Sequence, residues 1–206
     1  MTLPLSDIVA ILPELIVITA ACLVLGLDPI TPPSKKTSLA WLSLAALGLC
    51  FLLTVSQMEG RVSVFSDMVL VDPYAKYWKL LLYVVSALTI LMSLAYLKEE
   101  GINLAEYYGF LLLSLSGMMV MVSGADLLTI YLGIELMSLS LYVLAGFKRS
   151  EARSREASAK YFVLGSFSSG IMLYGISLLY GAAGATRLSA LAAAVESRGL
   201  DDPLLG

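Results

Sequence analysis

Apolar blocks, each close to the ~20 residues that carry a helix across a bilayer, alternate along this chain with short polar breaks. Six blocks predict membrane helices over residues 8–27, 39–55, 74–97, 107–122, 127–147 and 157–180. The first ends at Asp28-Pro29 and the turn-rich Thr31-Pro32-Pro33-Ser34, and Pro13-Glu14 interrupts it near its start. Without those two residues the run is too short to cross, so Glu14 falls inside the membrane boundary, in contact with headgroups or with chemistry. Asp72 suits the N-cap of the third helix, with Pro73 at its first position, and Asp126 suits the N-cap of the fifth.

The breaks carry their own patterns. Between Gln57 and Asp72 two short β-prone runs, RVSVF and MVLV, flank Ser66-Asp67 and predict a small surface hairpin, with an interfacial amphipathic segment as the alternative. Ser123-Gly124-Ala125-Asp126 is short enough to make helices four and five an antiparallel pair. Residues 187–198 set Leu188, Leu191 and Val195 on one face and stop at Gly199, the pattern of a short helix lying on the membrane surface. The final Asp201-Asp202-Pro203 reads as the cap of a seventh helix beginning at 203–206, so the chain is expected to be the N-terminal part of a longer protein.

Composition agrees with this single all-α, polytopic membrane domain. The 206 residues are 59% hydrophobic and 14% charged, with a mean hydropathy of +0.87. A net charge of -3 offers no basic surface for nucleic acid. Histidine is absent, which removes the usual axial ligand of membrane haems and the commonest transition-metal ligand. Cys22 and Cys50 both sit in apolar runs and form no metal-binding or redox pair motif. No cofactor is therefore expected in this chain. Basic residues separate by side: Lys35, Lys36, Lys98, Lys148, Arg149, Arg153 and Arg155 follow helices one, three and five. The opposite breaks hold Arg61, Arg187 and Arg198, with Lys76 and Lys79 at a helix start. This bias predicts an outer N-terminus.

The candidate chemistry centres on Glu135, in the middle of the fifth block. An ionisable group at that depth costs roughly 2.5 to 3.5 kcal/mol on insertion scales, so it faces a partner or a wet cavity. Tyr131, Ser138 and Tyr142 share its helix face and make one polar stripe. Two readings stand: a proton-accepting carboxylate in a transfer path, or a buried acid that fastens helices. Lys160 lies near the inner end of the sixth helix, four residues after Glu156, a spacing suited to a surface pair. At 1.5 Å per residue it is offset from Glu135 by roughly 13 Å along the membrane normal, which disfavours a direct ion pair. No other ionisable group is expected at mid-depth, and Lys76 and Lys79 are expected to snorkel to the surface. Gly117 and the methionines after it read as a packing surface, and Gly165, Ser166, Ser169 and Gly170 as a close-approach face.

The stretches at 106–147 and 156–186, including GIELMSLSLYVLAGF and EASAKYFVLGSFSSG, resemble the subunit N family of the proton-translocating NADH-quinone oxidoreductase, respiratory complex I. Asp72-Pro73-Tyr74 and Pro13-Glu14 are similar to that family too, so the likeness covers essentially the whole chain. The resemblance implies an antiporter-like inverted-repeat fold of fourteen helices in an inner membrane. It implies that Glu135 and Lys160 are the essential acid and lysine of the fifth and sixth helices, and that the other membrane-arm subunits are partners. NADH and quinone would be handled by other subunits. A lysine of the family's seventh helix, its partner for the glutamate, has no counterpart here. A cation/proton antiporter subunit and a non-catalytic membrane scaffold are the rival readings.

Overall fold

The computed structural model describes residues 5–32, 35–57, 60–100 and 104–198. They form α1 (Leu5–Ala10), α2 (Leu12–Leu27), α3 (Thr37–Ser56), β1 (Val62–Val64), β2 (Val69–Val71) and α4 (Pro73–Glu99). These are followed by α5 (Glu106–Ser123), α6 (Leu127–Ala145), α7 (Ala152–Ala183) and α8 (Leu188–Arg198). Among the described residues five helices, α3 to α7, are long and apolar enough to cross a membrane, and α2 is a shorter apolar helix of 16 residues. The expected first membrane helix is thus split at Ile11, because Pro13 near the start of α2 has no N–H to continue the ladder from α1. The predicted seventh-helix start at 203–206 and the stop at Gly199 lie outside the described residues.

Caps set the helix starts. Asp72 accepts a hydrogen bond from the Ala75 amide at 2.8 Å and Asp126 one from the Leu128 amide at 2.8 Å, each satisfying an otherwise orphaned N–H. The sixth membrane helix begins five residues earlier than its apolar block, at Ala152. Ala, Arg, Ser and Glu all tolerate a helix there, and Ser154 donates from Oγ to the Ala145 carbonyl at 2.9 Å. Gly184, left-handed at φ 68°, ends it.

The two β-prone runs pair as an antiparallel hairpin in the register Val62 to Val71, Ser63 to Leu70 and Val64 to Val69. Phe65, Ser66 and Asp67 all turn left-handed at φ 55°, 56° and 67°, a costly conformation that the Ser63 Oγ to Asp67 Oδ1 bond of 2.5 Å helps to hold. The hairpin is also tied down from outside itself. The Ala125 amide donates to the Met68 carbonyl at 2.9 Å, Val69 bridges Gly124, and Arg187 pairs with Asp67 at 3.6 Å. Ala10 at the end of α1 packs with Val64 and Val71. One side of the bundle therefore gathers α1, the hairpin, the α5–α6 turn and the α7–α8 link.

Polar contacts also close the other side. Asp28, buried at the end of α2, accepts from the Ala105 amide at 2.7 Å and from Lys36 Nζ at 3.1 Å, so one carboxylate joins α2, α3 and the start of α5. Lys148 after α6 pairs with Glu100 after α4 at 2.6 Å. The loops after α2, α4 and α6 thus share one side of the bundle, opposite the hairpin.

α5 is the central helix. Leu112, Leu115 and Met119 are fully buried in the core shared with α2, α3 and α4, and Gly117 meets Gly133 of α6. A Cβ on Gly117 would fall 2.5 Å from the Met137 nitrogen and 2.6 Å from the Gly133 oxygen, so only glycine permits this crossing. The packing surface expected of Gly117 and its methionines is present. The close-approach face of α7 is present in part: Gly165 lies against the Tyr142 hydroxyl, whereas Gly170 has open space beside it. Leu188, Leu191 and Val195 of α8, the apolar face expected of that helix, line a small apolar cavity of about 210 Å³ with Leu127 and the end of α7.

Candidate functional site

Glu135 is nine residues into α6, two past the glycine crossing with α5. Counting from the helix start puts it about 12 Å below the hairpin side of the bundle. Its Oε1 is buried and has no hydrogen-bond partner among the described residues. Tyr131, one turn before it, interacts with the carboxyl through its hydroxyl. The predicted polar stripe is divided by use: Tyr131 serves the acid, while Tyr142 is buried and packs edge-on against Tyr161 and Phe162 of α7 at 4.8 and 5.7 Å between ring centres. Glu135 as a whole is half-buried, and a carboxylate oxygen without a partner in an apolar helix bundle is open to a donor.

Lys160 stands elsewhere. It projects from α7, 70% exposed, and its Nζ pairs with Glu156 one turn earlier. The Ser158 hydroxyl donates to the Tyr142 carbonyl at 2.7 Å, which fixes the start of α7 beside the second half of α6. Lys160 thus lies toward the end of α6 remote from the hairpin, and it makes no ion pair with Glu135.

A second charged site was not expected. Lys79 of α4 is 1% exposed and pairs with Glu14 of α2 at 2.5 Å, and Lys76 is 4% exposed with its Nζ donating to the Gln57 carbonyl at 2.5 Å and the Gly60 carbonyl at 3.0 Å. The expectation that both lysines snorkel to the surface is corrected, as is the expectation of no further ionisable group at depth. The cause is the face they occupy. Lys76, Lys79, Tyr83, Ile90 and Leu97 recur at three-, four- and seven-residue steps along α4, and this is the stripe turned to the core. That spacing was visible in the sequence; the acid that neutralises Lys79, 65 positions away, was not.

Among the described residues no group of three or more potential metal ligands occurs. Five apolar helices of spanning length, crossing at glycines and enclosing a buried ion pair, define a multi-pass membrane protein. Two solved assemblies contain chains of this fold: a membrane-bound sulfane sulfur reductase, an archaeal respiratory membrane complex, and the Mrp complex from Dietzia sp. DQ12-45-1b. The first aligns with TM-score 0.72 and 24% identity over 95% of this chain and 40% of its own. The second aligns with TM-score 0.71 and 17% identity over 88% of this chain and 20% of its own.

Sequence narrows the class. A family model described as NADH:quinone oxidoreductase/Mrp antiporter, TM matches residues 124–203, the stretch that holds both Glu135 and Lys160. NADH-quinone oxidoreductase subunit N 2 of Rhizobium meliloti (strain 1021) is 42% identical over 95% of this chain and 41% of its own length. Subunit N of Trichlorobacter lovleyi is 41% identical over 92% of this chain and 39% of its own. Over most of its length the chain is homologous to subunit N of NADH-quinone oxidoreductase. It spans about two fifths of the length of these curated relatives.

Proposed function

We propose that this chain supplies part of a proton-translocating membrane-arm subunit of NADH-quinone oxidoreductase, with Glu135 as the group that takes up and releases the proton. The observation that carries the reading is the bare Oε1 of Glu135, buried at depth in a helix locked to α5 at Gly117 and Gly133. Moving a positive charge toward or away from a carboxyl group switches its affinity for a proton, the step this reading assigns to Glu135. Lys160, far from Glu135 in depth and already paired with Glu156, is proposed as a later relay on the side remote from the hairpin.

The subunit names of the relatives support a place within a multi-subunit NADH-quinone oxidoreductase, with other membrane-arm subunits as partners. The basic-residue bias supports an outer N-terminus. A chain without histidine, whose cysteines are single, is suited to moving protons while NADH and quinone react on other subunits. Proton transfer by the assembled enzyme in sealed vesicles tests the reading. Glu135→Gln, close in shape, should leave assembly intact and lower the protons moved per NADH oxidised. Unchanged pumping in that variant would overturn it.

A further inference from the structure

The Glu14–Lys79 pair has more than a fastening geometry. The Glu14 side chain is more than nine-tenths buried, and Oε1 is held by Lys79 Nζ at 2.5 Å. Its other oxygen, Oε2, is buried with no hydrogen-bond partner among the described residues. A static structural ion pair gains stability only when the remaining lone pairs are also satisfied, because each bare buried oxygen keeps its desolvation cost. This pair leaves one carboxylate oxygen free to receive a donor.

Its surroundings give it a direction. Lys79 is seven residues into α4, about 9 Å below the hairpin side by helix rise, close to the ~12 Å of Glu135 counted from the same side. The two acids flank α5, Glu14 on α2 and Glu135 on α6. Lys76 lies one turn nearer the hairpin side and holds the Gln57 and Gly60 carbonyls where α3 runs into β1, and Asp7 on α1 lies on that side too. From α3, Cys50 faces the pair, its thiol donating to the Pro13 carbonyl at 3.5 Å, and Thr54 reaches Tyr83 of α4 at 3.4 Å. The titratable groups of α5, Glu106, Tyr107 and Tyr108, lie in its first turn at the opposite side of the bundle.

We propose that Glu14 and Lys79 form a second proton-loading site, reached from the hairpin side past Lys76. In the loading step a hydronium ion gives its proton to Oε2 of Glu14. One O–H bond breaks, one forms, water is left, and the pair passes from net zero to a single positive charge; release reverses the step. Lys79 stays on Oε1 throughout the step. The inference rests on the proton-transfer reading of Glu135.

The test compares the assembled enzyme in sealed vesicles as wild type, Glu135→Gln, and the double variant Glu14→Gln/Lys79→Met, which removes both charges together and leaves neither buried alone. The double variant is expected to assemble, to oxidise NADH, and to lose protons per turnover to the same degree as Glu135→Gln. Full pumping by the double variant beside impaired Glu135→Gln overturns the second site and leaves the first standing. Full pumping by both overturns both. Should the double variant fail to assemble, the wild-type enzyme decides: dicyclohexylcarbodiimide, which attacks protonated carboxyls in apolar surroundings, should label Glu14 more as the pH falls, read by peptide mass spectrometry. Absence of label at every pH overturns the proposal.

Discussion

Tyr142 of α6 lays its hydroxyl against the backbone of Gly165 in α7, occupying the place where any larger residue at 165 would put its first carbon. The contact lies on the side of Glu135 remote from the hairpin. It sets how closely the acid-bearing helix and the next helix can run together, and it accounts for the small residue there better than chain flexibility does.

Gly165→Leu should therefore push α7 away from Tyr142. Overpacking of this kind costs about 1 to 3 kcal/mol. The melting temperature of the purified protein should fall, whereas Gly170→Ala, with open space beside it, should leave it unchanged or slightly raised by better helix propensity.

The crossing of α5 and α6 is less forgiving. Both Gly117 and Gly133 would meet backbone atoms under 3 Å, and backbone cannot swing aside as a tyrosine ring can. Gly133→Ala should lose more stability than Gly165→Ala in thermal melts. Because Glu135 is two residues on, it should also lower proton transfer in whatever enzyme still assembles.

Asp126 caps α6 and accepts from Thr186 Oγ1 at 2.6 Å, while the Leu127 amide donates to the Thr186 carbonyl and the Leu188 amide to the Ala125 carbonyl, each at 3.0 Å. Asp126→Ala removes the cap and strands the Thr186 hydroxyl. Loss of an N-cap alone costs roughly 0.5 to 2 kcal/mol. Thr186→Val should cost less than Asp126→Ala, and limited proteolysis should cut earliest at the α7–α8 link in both.

Lys148 predicts a pH dependence. Its hydrogen bond to Glu100 and the charges of Glu100 and Glu151 raise its pKa above 10.5. A raised lysine contributes its stabilisation in full below the unfolded value and loses it as pH climbs through the folded one. Melting temperatures should therefore carry no contribution from this pair to any change between pH 6 and 9 and should drop above about pH 10.5. Lys148→Met should weaken that alkaline limb. Added salt should weaken it as well, because the pair is exposed.

The likeness to subunit N, the helix blocks, the hairpin and the side to which each loop belongs were legible in the sequence because each is written in adjacent residues. Apolar length, Asp72 before Pro73, and the alternation around Ser66-Asp67 need no distant partner to act. The isolation of Glu135 from Lys160 was legible for the same reason, since helical rise fixes depth.

What the sequence could not decide was which charges leave the membrane surface. Lys76 and Lys79 have stems long enough to reach water, and only the packing of α3 and α5 against α4 turned them inward. Glu14 became the partner of Lys79 because Pro13 opens α2 at the level where that stripe of α4 passes. Chain order fixes helices and depths, whereas the pairing of two buried charges depends on which faces meet, and that is set by the whole bundle at once.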